Sequence, residues 1–141
     1  MQLRKATPAD GTLLTAFLSR ITGKKFDEMK LQEEIADDTQ YIVLHKEHII
    51  AAYTLKPLGD KVLKLERLCI HPSLQDKDFD RQLIEKCKQQ AAKAGMPLYA
   101  EFPLRDEDQT ELFQKCGFKQ TATYNDKETV VAVYAYLPEV N

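Results

Sequence analysis

Residues Leu63–Ala94, LKLERLCIHPSLQDKDFDRQLIEKCKQQAAKA, decide how this chain is read. Strand alternation puts Val62, Lys64, Glu66 and Leu68 on one face and Leu63, Leu65, Arg67 and Cys69 on the other. His71-Pro72 then turns the chain. Beyond a charged loop, Phe79, Leu83, Ile84, Cys87 and Ala91 recur at helical spacing, and Gly95 and Pro97 end the helix, which spans about 79–94. A strand, a short loop and a helix N-terminus in this order can hold a phosphate on backbone N–H groups. The loop Gln75-Asp76-Lys77-Asp78-Phe79-Asp80 carries three carboxylates and no glycine. A carboxylate about 4 Å from a phosphate costs about 1 kcal/mol in bulk water and about 4 kcal/mol at an effective dielectric constant of about 20. The backbone pattern therefore offers an anion site that the side chains oppose. The structural alternative is that Asp78 or Asp80 caps the helix and takes up those N–H groups itself.

Outward from this stretch, 141 residues suit one domain, here 1–141. A net charge of −2 gives no basic footprint for nucleic acid. No apolar run approaches the roughly 18 residues that span a bilayer. MQLRKATPAD lacks the apolar segment of a secretory signal. Cysteines at 69, 87 and 116 have no paired spacing, so they read as packed, reduced thiols in a cytoplasmic protein, with no metal site.

In chain order, 1–6 is a strand, and Thr7, Pro8 and Asp10 open a helix whose apolar face is Leu13, Leu14, Phe17, Leu18 and Ile21. A second helix covers about 26–36, anchored by Met29 and Ile35. Runs at 41–44 and 49–55 flank His45-Lys46-Glu47-His48 as a hairpin. Pro57–Lys61 is a turn, 62–70 a central strand and 98–102 a short strand. Asp106–Cys116 is a helix, and 118–124 and 129–137 are closing strands. The order is β-α-α-β-β-β-α-β-α-β-β, an α/β chain whose mixed sheet of about six to seven strands is flanked by about four helices.

This order, together with LRKATPAD (3–10), LERLCIHPSLQDKDFDRQLIE (65–85) and DEDQTELFQKCGF (106–118), resembles the GNAT superfamily of acyl-CoA-dependent N-acetyltransferases. The second motif lies over the family's strand, His-Pro, Arg/Gln-x-x-Gly-x-Gly/Ala and helix. The third is similar to its Asn-x-x-Ala-x-x-Leu-Tyr-x-x-x-Gly-Phe. The resemblance implies acetyl-CoA as cofactor and a small-molecule or peptide amine as substrate. It implies that the backbone of Leu68, Cys69 and Ile70 pairs with the pantetheine arm, and that Gln75, Asp76, Lys77, Asp78, Phe79 and Asp80 lie around the pyrophosphate. Glu66 falls where relatives carry a carboxylate facing the amine, a general base. Phe113 falls where they place a tyrosine that protonates the leaving thiolate. The sequence departs from the pattern where Asp76, Asp78 and Asp80 replace glycines, and where Phe113 has no proton to give. Water, Cys116 or Tyr124 are the substitutes to consider. Two expectations follow: an acetyltransferase with weak or altered catalysis, or a non-catalytic module of the same fold that binds a protein or small ligand.

Other patterns are weaker. Asp76–Asp80 begins like a calcium loop, but Arg81 and Cys87 stand where that loop needs Gly and Glu. Cys69 and His71 lack a third group for nucleophilic catalysis. Glu66 needs a partner or water, and Arg67 lies on the opposite face. Glu101 could add negative potential to a pocket for a cation.

Overall fold

The computed structural model describes residues 1–74 and 77–138, with Lys77 described by its backbone only. Gln75 and Asp76 lie outside the described residues. The strands are β1 (Gln2–Lys5), β2 (Gln40–His45), β3 (His48–Leu58), β4 (Val62–Ile70), β5 (Leu98–Pro103), β6 (Lys119–Asp126) and β7 (Thr129–Tyr136). The helices are α1 (Gly11–Thr22), α2 (Glu28–Ala36), α3 (Lys77–Ala94) and α4 (Glu107–Lys115). One seven-stranded sheet has the order β1-β2-β3-β4-β5-β7-β6. β4 and β5 pair in parallel and β5 and β7 antiparallel, giving the mixed α/β sheet and the element order that the sequence implies. No helix among the described residues is long and apolar enough to cross a membrane.

The chain forms two compact units, Met1–Leu55 with Arg67–Gln75, and Lys56–Glu66 with Asp76–Asn141. In the first, α1 and α2 bring Leu14, Phe17, Leu18, Leu31 and Ile35 against Ile42 and Ala52. Two anchors expected from the sequence lie outside this core: Leu13 is 63% and Met29 is 77% exposed. Asp27 caps α2, accepting a hydrogen bond from the Met29 N–H at 2.9 Å. The helix therefore begins two residues later than its apolar pattern suggests, and Leu31 and Ile35, four apart, face inward. The β2–β3 hairpin turns through Lys46 and Glu47, with φ of 49° and 67°. Positive φ at both central residues matches the twist of the strands it joins.

Before α1 the chain makes a single 3₁₀ turn, Pro8–Asp10. The Asp10 carboxylate accepts from the Thr7 N–H (2.7 Å), from Thr7 Oγ1 (3.0 Å) and from both Arg4 terminal nitrogens (2.7 and 3.0 Å). The Arg4 hydrogen bonds, outweighing burial, hold its pKa down at about 2. A carboxylate with a depressed folded-state pKa gives stability that is present above about pH 4 and is lost as pH falls through about 2. After allowing for solvent around Arg4, this increment is about 1–2 kcal/mol. Denaturant titrations of wild type and Asp10→Asn at pH 6, 4 and 3 should show the difference between them shrinking toward acid. A difference constant with pH would refute the assignment.

In the second unit, α3 and α4 cover one face of β5 and β7. Leu83, Ile84, Cys87 and Ala91 are buried, as are Leu98, Ala100, Phe102, Phe113, Ala132 and Tyr134. Rings stack from Phe113 to Phe102 (5.2 Å) and from Phe102 to Tyr134 (4.8 Å), while Phe118 meets Phe113 edge-on at 5.0 Å. Gly95, at φ 71°, ends α3 in the left-handed conformation that glycine adopts without a steric penalty. Asp106 caps α4, accepting from the Gln109 N–H at 3.1 Å.

Candidate active site

The sequence-predicted site residues fall in both units, and each group has its own surroundings. Glu66 belongs to the second unit. Its neighbour two places back, Lys64, shares its face of β4 and supplies the partner that the sequence left open: Lys64 Nζ lies 3.2 Å from Glu66 Oε1 and 3.2 Å from Glu101 Oε2. The register Lys64↔Tyr99 and Leu65↔Ala100 explains the meeting, because the next step along both strands puts Glu66 level with Glu101. Two like charges opposite one another repel, and the ammonium shared by both relieves that repulsion. Tyr124, on β6, donates from its hydroxyl to Glu101 Oε2 at 2.7 Å. The side chains of Lys64, Glu66 and Glu101 are 24%, 31% and 26% exposed, so this polar chain is neither dry nor fully solvated. Burial alone would lower the Lys64 pKa, but hydrogen bonds to Glu101 and Glu66 outweigh it and the ammonium is held above its ordinary range. The Glu101 hydrogen bond likewise raises the Tyr124 phenol, which keeps its proton in place.

Sequence reasoning singled out Glu66, Glu101 and Tyr124 separately and missed Lys64. The signal was present as a Lys-x-Glu spacing within a strand, which places both side chains on one face.

Phe113 is committed to the aromatic core of the second unit and is 4% exposed. Cys116, a substitute proton donor in sequence terms, is buried, and burial followed by the Glu85 charge raises its thiol pKa. Its carbonyl accepts from Lys88 Nζ at 2.7 Å.

α3 starts at Lys77, two residues before its apolar pattern begins. Asp78 and Asp80 consequently lie inside the first turn, where negative charge suits the helix dipole, and not at the capping position. Position 76, where a cap would stand, is outside the described residues. The Asp78 side chain is 78% exposed and pairs with Arg81 at 3.2 Å. Its charge is therefore exposed to solvent and partly neutralised by Arg81. Phe79 is buried and anchors the turn.

In the first unit lies the rest of β4, Arg67 through Ile70. Arg67 has φ of 51°, an uncommon conformation for a residue with a side chain and an irregularity within the strand. Burial confirms the consequence. Leu63 and Leu65 are buried, continuing the expected alternation, but farther on it is Ile70 that is buried and Cys69 that is only half-buried. The two-face assignment from sequence holds as far as Glu66 and is reversed beyond Arg67. One irregular residue shifts every later side chain to the other face. Cys69 packs against the first unit's core, and burial raises its thiol pKa although the Arg67 charge opposes this. His71 Nδ1 accepts from the Ser73 N–H at 3.1 Å and lies 2.7 Å from Ser73 Oγ. A backbone N–H can only donate, so a neutral His71 ring carries its proton on Nε2. A groove of about 450 Å³, lined by Phe17, Arg20, His48, Ile50, His71 and Ser73 among others, contains none of the residues assigned to acetyl transfer.

Similar proteins narrow the interpretation. The family model for the Acetyltransferase (GNAT) domain matches residues 36–120. An N-acetyltransferase from Staphylococcus aureus Mu50 superimposes with a TM-score of 0.85 at 10% identity, covering 96% of this chain and 96% of that one. A Salmonella typhimurium protein solved with its cofactor acetyl-CoA gives 0.82 at 13% identity, covering 100% and 95%. The ribosomal-protein-S18-alanine N-acetyltransferase of Escherichia coli gives 0.81 at 13%, covering 99% and 96%. At such identities the likeness is one of fold. No curated protein matches the sequence. The family model spans more than half of the chain, through β2, β4, α3 and α4, and on that ground the chain belongs to the GNAT acetyltransferase family.

Proposed function

We propose that the protein transfers the acetyl group of acetyl-CoA to a primary amine, with Glu66 as general base. The observation that carries this reading is the Acetyltransferase (GNAT) domain match over residues 36–120, within which Glu66 and Glu101 lie side by side, each 3.2 Å from Lys64 Nζ. The two carboxylates are spaced to hold a primary ammonium. Acetyl-CoA supplies a thioester carbonyl activated toward amines. Glu66 takes the proton that the amine nitrogen loses as its bond to the carbonyl carbon forms. Glu101, held by Tyr124, adds negative potential that favours a cationic substrate. Phe113 has no proton for the departing thiolate, which takes one from solvent. The first-turn N–H groups of α3 would take the pyrophosphate, a reading supported by the pairing of Asp78 with Arg81, which offsets one of the loop's charges. Leu68, Cys69 and Ile70 supply backbone to the pantetheine arm.

A second reading has its own support. Lys64 already fills the carboxylate pair and Phe113 is locked in the core, as would suit a binding module that has lost the reaction. Acetyl-CoA at 1 mM separates the two. A site with a micromolar Kd should stabilise the fold by about 4 kcal/mol. That appears as a thermal shift of roughly 10 °C or more. No shift refutes the acetyltransferase reading. A shift without thiol release across a panel of small and peptide amines supports the module.

A further inference from the structure

Arg67 takes a positive φ within β4, and the first unit gathers several groups around that one side chain. The Arg67 guanidinium pairs with Glu34 of α2, donates to Thr54 Oγ1 of β3 at 3.3 Å and stacks over the Phe26 ring at 5.8 Å. Gln40 of β2, 1% exposed, ties these acceptors together. Its Nε2 donates to Glu34 Oε2 at 2.6 Å and to Thr54 Oγ1 at 2.7 Å, using both amide hydrogens. Phe26, in the connection between α1 and α2, is fixed by its own N–H donating to Ser19 Oγ at 3.3 Å. One guanidinium thus meets α2, β3 and the α1–α2 connection, while its own backbone takes a left-handed conformation. Within a strand, a φ of 51° is uncommon for a residue with a Cβ and is held against a steric cost. Just past β4 the His71 N–H donates to the Ile50 carbonyl at 2.8 Å. Leu68, Cys69 and Ile70 are therefore bracketed by the left-handed Arg67 on one side and the His71–Ile50 hydrogen bond on the other.

We propose that Glu34, Gln40 and Thr54, acting through Arg67, are positioning residues that fix the backbone orientation of Leu68–Ile70. The network turns that segment so that its N–H and C=O groups keep one direction, set from α2 and β2. A charged clamp suits this task better than an apolar one. Its hydrogen bonds specify a single position for the guanidinium, whereas apolar packing around a strained residue would tolerate several. What the segment is positioned for rests on the acetyltransferase reading, in which it pairs with the pantetheine arm.

The test uses Arg67→Gly. Glycine adopts a φ of about 50° without a steric cost, so this variant keeps the strand's course open while removing the clamp. Amide hydrogen exchange should accelerate about tenfold or more at Leu68, Cys69 and Ile70, and stay unchanged at Ile42 and Val43 of β2. The acetyl-CoA Kd should rise about tenfold with little change in thermal midpoint. Glu34→Gln keeps an oxygen for Arg67, so it should lose less than threefold on both readouts, a rescue that a purely structural role does not require. Unchanged exchange at Leu68–Ile70 in Arg67→Gly overturns the proposal, as does an acceleration spread evenly over the unit. If wild type itself fails to bind acetyl-CoA, the acetyltransferase reading falls, and the exchange pattern still decides the clamp.

Discussion

Glu66→Gln should lower kcat/KM for acetyl transfer by about 10²–10⁴-fold, the usual contribution of a positioned general base. That corresponds to about 3–5 kcal/mol of transition-state stabilisation. The substitution is close to isosteric and leaves an oxygen to accept from Lys64, so the thermal midpoint should stay near that of wild type. Acetyl-CoA binding should also persist, because the groups assigned to the cofactor lie on Leu68–Ile70 and on α3. The loss should appear in kcat more than in KM, since proton removal belongs to the transition state. Steady-state kinetics with purified variant and a good amine substrate reads all of this. Retention of activity within about threefold would remove Glu66 from the mechanism. A large deficit found only in Glu101→Gln would transfer the base to the other carboxylate, the one Tyr124 holds at 2.7 Å.

The order of elements was legible because it rests on period and punctuation. Alternation along Val62–Glu66, helical spacing from Phe79 to Ala91, and Gly95 after α3 are all local features of the sequence. Helix starts were less legible. The Asp27 cap shifts α2 so that Met29 faces out, and α3 begins at Lys77, ahead of its first apolar residue. The positive φ at Arg67 was not legible, since the partners of its side chain, Phe26, Glu34 and Thr54, are far away in sequence. From there the alternation rule reversed Cys69 and Ile70. The site was legible in part for the same reason. Glu66 stood out as a charge in an apolar strand. Its tie to Glu101 through Lys64 needed the register of β4 against β5, which the sequence does not contain. For the loop aspartates the structure adds one local fact. Composition counts Asp78 as a bare charge, whereas in the structure it is paired with Arg81 one turn on.

Phe102→Ala should be the most damaging single truncation in the second unit, costing about 3–5 kcal/mol. Its ring lies between two others, with centroids 5.2 Å from Phe113 and 4.8 Å from Tyr134, and it is 8% exposed. Removal leaves a void bordered by rigid rings that cannot collapse into it, and it forfeits two stacking contacts worth about 0.5–1.5 kcal/mol each. For a chain of this size the thermal midpoint should fall by about 10–20 °C. A loss below about 1 kcal/mol in denaturant titration would mean that the cluster is loosely packed, contrary to its centroid distances. Phe102→Leu keeps much of the volume and should cost less than half as much. The result bears on chemistry as well as stability. Phe102 follows Glu101 on β5, and alternation points the two side chains to opposite faces, so the buried ring sets the position of the carboxylate behind it. The same packing accounts for Phe113. Its ring stacks on Phe102 and meets Phe118 edge-on, a use of the position that needs no hydroxyl. A tyrosine there would have to find its O–H a partner among these apolar neighbours or leave it unpaired, at a cost of about 1–3 kcal/mol. Core packing at position 113 and proton donation from it therefore compete, and in this chain the packing has prevailed.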